Sequence, residues 1–354
     1  MIRYTPNHMF FSTGLMLLAF LMGVCDLAHA EQPALPGIDF SWTWVESPYG
    51  KPVIDRGPDG AWDHYAVDNP YVHVEKGELY CFFEGQNTAG QGWHEQIGLA
   101  ISKDGLNWRK VRSNPLLGAG PAGSWDAVVA KLPAGVIKKD NTYYLFYSGR
   151  DRANHEQTHK DIGVATARCL SGPWKKLPGN PIFCGRDNQW DRRVSTLPVP
   201  IFQRAGKYWL LYRGMKGLYH HQGLGVAVSS DLLHWKRMEQ VVKRPLIPVS
   251  HEIASMGITA VAGQYVGISQ PMDLAKRRYW ISPDLVHWTK GPTVQFKASV
   301  AAETISNPFF VAGQWVVLYE QKDRIYRAVL QPKATATRQE GGRSEGRKRR
   351  PNFG

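Results

Sequence analysis

Cysteine is scarce in this chain, four in 354 residues. Cys25 falls in an N-terminal apolar stretch, which leaves Cys81, Cys169 and Cys184. An odd count argues against a disulfide framework, although a Cys169–Cys184 bridge would close a small loop between two repeats. No CxxC and no clustered Cys/His pattern suggests zinc. A Gly-rich phosphate loop and a Ser-His-Asp arrangement are both missing. No segment reads as a long amphipathic helix, and after residue 30 no apolar run is long enough to span a bilayer. Acidic residues are the minority charge: 43 Lys and Arg face 30 Asp and Glu, a formal net charge of +13.

Much of that excess is terminal. The tail 331–354 carries seven Lys or Arg against Glu340 and Glu345, so +5 of the formal +13 lies there. It is rich in Gly and Arg, has no apolar periodicity, and reads as a disordered basic tail. With the densest basic cluster in a tail and no nucleic-acid motif in the chain, a nucleic-acid partner is not expected. At the other end, FFSTGLMLLAFLMGV follows Arg3 and leads to Ala28-His29-Ala30. Residues 1–30 therefore read as a signal peptide cleaved after Ala30, which places the mature chain outside the cell or in a periplasm. Residues 31–61 form an approach segment that packs on the body or closes a ring. The body is 62–330, one large domain with ample length for a core.

What is present is repetition. WDHYAVDNPYVHVEKGELYCFFEG starts at Trp62, WDAVVAKLPAGVIKKDNTYYLFYSG at Trp125 and WDRRVSTLPVPIFQRAGKYWLLYRG at Trp190. In each, a proline (Pro70, Pro133, Pro198) lies seven residues after the Asp (Asp63, Asp126, Asp191). A hairpin with alternating aromatic and β-branched residues follows, then an alternating strand, a turn and a Trp (Trp108, Trp174, Trp235). A fourth unit runs from His251 to Trp288, and a fifth begins at Ala301. Five units of about 50–65 residues, each able to form a four-stranded antiparallel sheet, predict an all-β, five-bladed β-propeller.

In such a ring the first strand of each blade lines a central funnel. The acidic residues of those runs are Asp63 and Asp68, Asp126, Asp191, Glu252 and Glu303, one or two per blade. The Trp-Asp carboxylates recur, so hydrogen bonding between blades explains Asp63 and Asp126 without any chemistry. Asp68 does not recur, because Lys131 and Thr196 occupy its place in the next two blades. By period two it faces the opening while Asn69, Leu132 and Leu197 pack between blades, unless a bulge intervenes. Arg192 and Arg193 would keep the adjacent Asp191 ionised. His64, Lys131 and Arg193 are candidates for holding substrate hydroxyls or an anionic substituent. Trp62, Trp125 and Trp190 are expected to be buried rather than to stack on sugars.

The blade strings YYLFYSG, YWLLYRG and GLAISKDGLNW, with an acidic-residue-plus-proline first blade, resemble the five-bladed furanosidase superfamily. That superfamily includes glycoside hydrolase families 43, 32, 62 and 117. The first blade, DHYAVDNPYVHVEKGELYCFFE, is most similar to family 117, which cleaves terminal 3,6-anhydro-L-galactose from agar oligosaccharides. The resemblance implies a base at Asp68, a tuning carboxylate at Asp191 and an acid at Glu252. It also implies inversion. Apart from the resemblance, Asp63, His64, Asp126, Lys131, Arg193 and Glu303 are the candidate substrate contacts. This chain departs from the pattern twice: Asn69 separates Asp68 from its proline, and His251-Glu252-Ile253-Ala254 lacks the usual context of the acid.

Hydrolysis of a glycoside needs two carboxyl groups across the scissile bond, and a funnel supplies them from different blades. The expected activity is an exo-acting hydrolase on plant or algal polysaccharide fragments with anhydrogalactose-, galactose- or arabinofuranose-type residues. No cofactor is required and no metal ligands are assigned, and a central structural ion such as calcium is compatible with it. Two other readings stay open. One is a phosphorylase of the same fold, with Lys131, Arg192, Arg193 and Arg213 as its basic cluster. The other is a carbohydrate-binding propeller without catalysis. The oligomeric state is not legible.

Overall fold

In the computed structural model the described residues are 35–88, 95–151, 160–217, 220–250, 253–271, 276–299 and 302–333. Residues 1–34, where the signal peptide is expected, most of the basic tail and Glu252 lie outside them. Residues from Leu35 onward form one unit, and its strands assemble five sheets, one per sequence repeat. The fold is the expected all-β five-bladed propeller. A 3-10 turn at Glu239–Val241 accompanies the strands. Among the described residues no helix is long and apolar enough to cross a membrane.

Blade one runs from the inner strand Ala66–Glu75 through Glu78–Gln86 and Gln96–Ser102 to the short outer strand Arg109–Lys110. Blade two repeats this with Val129–Lys139, Thr142–Arg150, Lys160–Ala167 and Lys175–Lys176. In blade three the inner strand is split into Arg193–Ser195 and Phe202–Arg204, both paired with Lys207–Met215. Pro198 and Pro200 lie in the gap, where a residue without an N–H cannot serve the ladder. Blade four is Ser255–Val261, Gln264–Gln270, Arg278–Ser282 and Thr289–Thr293.

The ring is closed by the N-terminal segment. Blade five contributes Phe309–Val311, Gln314–Gln321 and Arg324–Gln331. Thr43–Glu46 then pairs antiparallel with Arg324–Gln331 and parallel with Gln295–Lys297. Trp44 in that strand is fully buried and donates its indole N–H to Tyr279 Oη at 2.8 Å. Glu46, also buried, accepts from Ser299 Oγ at 3.0 Å and from the Gly50 N–H at 2.7 Å. The approach segment is thus part of the last blade.

Three Asn-Pro steps supply a recurring clasp. Asn114, Asn180 and Asn307 each accept one backbone N–H and donate to the carbonyl of the same residue. Those residues are Leu99, Val164 and Val72, so an amide side chain stands in for a neighbouring strand. Asn307 does this between blade five and the inner strand of blade one. The closing tryptophans have a local role as well. Trp108, Trp174, Trp235 and Trp288 each donate to a carbonyl three or four residues earlier, at 2.9–3.0 Å.

Candidate active site

The Trp-Asp pairs fasten the outer edges of blades one, two and three. Trp62 rests on Gly85 and Gly98, and Trp125 on Gly149 and Gly163; a Cβ on any of these would come within 2.6 Å of an indole carbon. Asp63 is bonded by Lys110 and Asp126 by Lys176, both on the outermost strands. Tyr147 Oη adds a 2.9 Å bond to Asp126. Asp191 is the most enclosed of the three, with no exposed surface. Its Oδ1 accepts from Arg186 Nε at 3.1 Å and Nη2 at 2.9 Å. Its Oδ2 accepts from Arg237 Nε at 2.6 Å and Tyr212 Oη at 3.0 Å.

The structure therefore separates Asp191 from Asp68. The adjacent arginines that the sequence offered as its partners are not the ones it uses. Arg192 reaches Asp187 at 3.6 Å, and Arg193 is buried with Nη1 on the Lys216 carbonyl at 2.6 Å. His64 Nδ1 is 2.8 Å from the Ala61 carbonyl, within the turn that carries Asp63.

Asp68 sits elsewhere. A bulge does occur in the inner strand, but after it: pairing is regular through Asp68↔Glu84, then shifts before Tyr71. Asn69 takes φ 47° there, and Leu132 takes φ 51° at the same place in blade two. A left-handed leucine is costly, and Glu84 sustains both bulges. Its Oε2 accepts from Asn69 Nδ2 at 3.2 Å and from the Leu132 N–H at 3.0 Å. Asn69 therefore points to a carboxylate instead of packing as Leu197 does.

Cross-strand partners share a face, so Asp68 and Glu84 project together, as do Ser195 and Arg213. Glu95, Glu320, Lys131, Lys160 and Arg213 act electrostatically on this pair. Side chains from blades one, two, three and five therefore converge at the axis. Their signs are segregated. Asp68, Glu84, Glu95 and Glu320 come from blades one and five; Lys131, Lys160 and Arg213 come from blades two and three.

Lys131 bridges the two sets, with Nζ 2.8 Å from Glu95 Oε1 and 3.8 Å from Glu84 Oε1. Burial, then the charges of Glu84, Glu320 and Glu95, push the Asp68 pKa well up, while Lys131 pulls the other way. Gln86 Nε2 donates to Asp68 Oδ2 at 3.2 Å, and Asp68 Oδ1 is buried with no partner among the described residues. Burial and Glu303 raise Glu320 to about 8. Glu303 lies beside it, its N–H donating to the Glu320 carbonyl at 2.9 Å.

Among the described residues no group of His, Cys, Asp and Glu is arranged to hold a metal ion. Cys81 is buried, and Cys169 and Cys184 are free thiols. The funnel residues that the sequence reading passed over were Glu84, Glu95, Glu320 and Lys160. The signal for two of them was in the repeat. The residue after the last aromatic of each second strand is Glu84, Ser148, Arg213 or Glu320, so it varies where its neighbours do not.

No family model matches the chain. Its fold does have solved counterparts. A family 117 glycoside hydrolase of the marine bacterium Zobellia galactanivorans superposes with a TM-score of 0.61 at 15% identity, covering 82% of this chain and 91% of that one. The GH43_1 enzyme of Xanthomonas citri, solved with xylotriose, gives a TM-score of 0.55 at 14% identity, covering 79% and 90%. The fold is the five-bladed propeller of the family 117 and family 43 glycoside hydrolases. In sequence, a β-1,2-mannobiose phosphorylase of Thermoanaerobacter sp. (strain X514) is 26% identical over 109 residues. That match spans 28% of this chain and only 35% of the phosphorylase.

Proposed function

We propose that this chain is a glycoside hydrolase, with Asp68 in the funnel as its general base and Glu252 as its acid. The observation that carries the reading is Asp68 itself. It is a half-buried carboxylate on an inner strand, with one buried oxygen that has no partner among the described residues, among carboxylates that raise its pKa. Buried polar groups without partners are rare and call for a role. A carboxylate tuned toward neutrality is a stronger base whenever it is ionised. Lys131 opposes the carboxylates and favours that ionised form. Asp191 has no part in this scheme. Glu84 and Glu320 are the carboxylates that tune Asp68, and Glu84 also fixes the bulge that aims it.

The same reading makes the enzyme exo-acting and inverting on plant or algal polysaccharide fragments, exported by a signal peptide cleaved after Ala30. The fold shared with the family 117 hydrolase supports it. The experiment is a panel of oligosaccharides ending in anhydrogalactose, galactose or arabinofuranose, read by released monosaccharide. Asp68→Asn and Glu252→Gln should each cut turnover by about 100-fold or more, with sugar binding retained. Unchanged hydrolysis in Asp68→Asn would overturn the assignment. Phosphorolysis is the second reading, favoured by the sequence match to the mannobiose phosphorylase and by the basic wall of blades two and three. Added phosphate would then yield a sugar 1-phosphate.

A further inference from the structure

The basic wall of the funnel has two cationic side chains that no carboxylate among the described residues pairs with. Lys160 opens the third strand of blade two and is only 5% exposed. Among the described residues its ammonium group has no hydrogen-bond or ion-pair partner. Arg213 lies on the second strand of blade three. Nε donates to Ser195 Oγ at 3.2 Å, and among the described residues no carboxylate stands within ion-pair reach of its guanidinium. His221, on the next strand and paired near the end of the Arg213 strand, has a buried Nδ1 without a partner among the described residues.

The three act on one another. Burial, then Lys131 and Arg213, hold Lys160 well below the ordinary lysine range, against the pull of Glu95 and Glu84. Burial pushes Arg213 down to about 10, with Glu84 opposing. Burial, then Arg213, Lys160 and His220, hold His221 neutral. A buried lysine beside a half-buried arginine is costly without a counter-charge. Glu95 and Glu84 pair with Lys131, at 2.8 and 3.8 Å, and among the described residues neither comes within ion-pair reach of Lys160 or Arg213.

We propose that Lys160 and Arg213, with His221 beside them, form an oxyanion subsite in the funnel. It would take a carboxylate or sulfate on the bound sugar, or a free phosphate beside it. The chemistry is common to all three: a compact anion between a guanidinium fork and an ammonium group. The subsite faces the carboxylate wall of blades five and one, so a sugar between the walls would be oriented by its anionic group with its reacting end toward Asp68. This placement rests on the funnel being the sugar site, as proposed above; the anion-binding claim does not.

Calorimetry separates the possibilities on the full-length protein without turnover. The probes are galacturonate, galactose, inorganic sulfate and inorganic phosphate. Galacturonate, or one of the inorganic anions, should bind at least tenfold more tightly than galactose. Lys160→Met and Arg213→Gln should reduce that binding about tenfold. Methionine has a similar length and carries no charge, so Lys160→Met is expected to fold with equal or higher Tm. Anion binding should weaken from pH 6 to pH 9 in the native protein, because the anion restores the Lys160 proton, and should be flatter in Lys160→Met. Galacturonate bound in preference to phosphate identifies a sugar carboxylate; the reverse identifies free phosphate. Equal binding of galacturonate and galactose with no inorganic anion bound would overturn the proposal. So would anion binding unchanged in both variants. A protein that hydrolyses nothing can still bind the anion, so failure of the hydrolase reading shows separately.

Discussion

Replacing Asp191 with Asn decides between two accounts of the same carboxylate. As a tuning group it would act on catalysis; as the structure places it, it clamps the outer edge of blade three. The magnitude follows from its partners. Four side-chain hydrogen bonds end on it, from Arg186 (two), Arg237 and Tyr212. Arg237 is only 15% exposed and Asp191 not at all. Removing one member of such a buried pair costs about 3–5 kcal/mol, because the remaining charges lose their compensation. For a domain of this size that lowers Tm by roughly 5–8 °C. Asp126 accepts from Lys176, Tyr147 and Ser124, and Asp63 accepts a side-chain bond from Lys110. Their lysines are about a quarter exposed, so the expected losses fall in the order Asp191→Asn, Asp126→Asn, Asp63→Asn. The assay is a thermal melt of each variant beside turnover on the best oligosaccharide at 20 °C. The latch account requires lowered Tm with kcat within about threefold of native. An Asp191→Asn protein that melts normally but loses about 100-fold in kcat would refute it.

Other outcomes follow from the same geometry. Asn307→Ala leaves the buried Val72 N–H and carbonyl unpaired at the junction of blades five and one, and should cost about 2–4 kcal/mol in denaturant unfolding. Lys131→Gln removes the cation that lowers the Asp68 pKa, so the acidic limb of the kcat/KM profile should move to higher pH by about one unit. A shift to lower pH would contradict Asp68 as the base. Glu320, raised from 4.5 to about 8, keeps in the fold a proton that the unfolded chain has lost. Its contribution to stability is therefore complete below about pH 4.5 and declines as pH rises toward 8. Glu320→Gln should match the native Tm near pH 4.5 and exceed it by a few degrees at pH 8.5.

The blade plan was legible because it is written in repeats that each satisfy one physical rule. The alternation of the strands, the hairpin turns and the closing tryptophans recur, and five sheets follow from them. Ring closure was only half legible. Thr43–Glu46 is four residues long, and its partners lie about 280 residues away, beyond the reach of any local pattern. Asp68 stood out because it breaks the repeat. For Asp191 the reading put the whole run from Trp-Asp to proline on the inner strand. In the structure the Trp-Asp end of that run turns outward to meet Lys110, Lys176 or Arg237, and only its later residues reach the axis.

The same comparison explains why the neighbouring carboxylates went unseen. Period two on a single strand says which side chains share a face, but not which strand's face looks into the funnel. The second strand contributes as well, because its residue opposite Asp68 is Glu84, on the same face. A position that changes from Glu84 to Ser148 to Arg213 to Glu320 while its aromatic neighbours stay large cannot be serving the core, which requires constant shape. Its variation follows the charge of the wall it belongs to, acidic in blades five and one and basic in blade three. The scaffold is the part of each blade that repeats, and the chemistry lies in the part that does not. By that criterion Asp68, Glu84, Arg213 and Glu320 are the residues to assign to the proposed site, while Asp63, Asp126 and Asp191 are bonded to the outer strands.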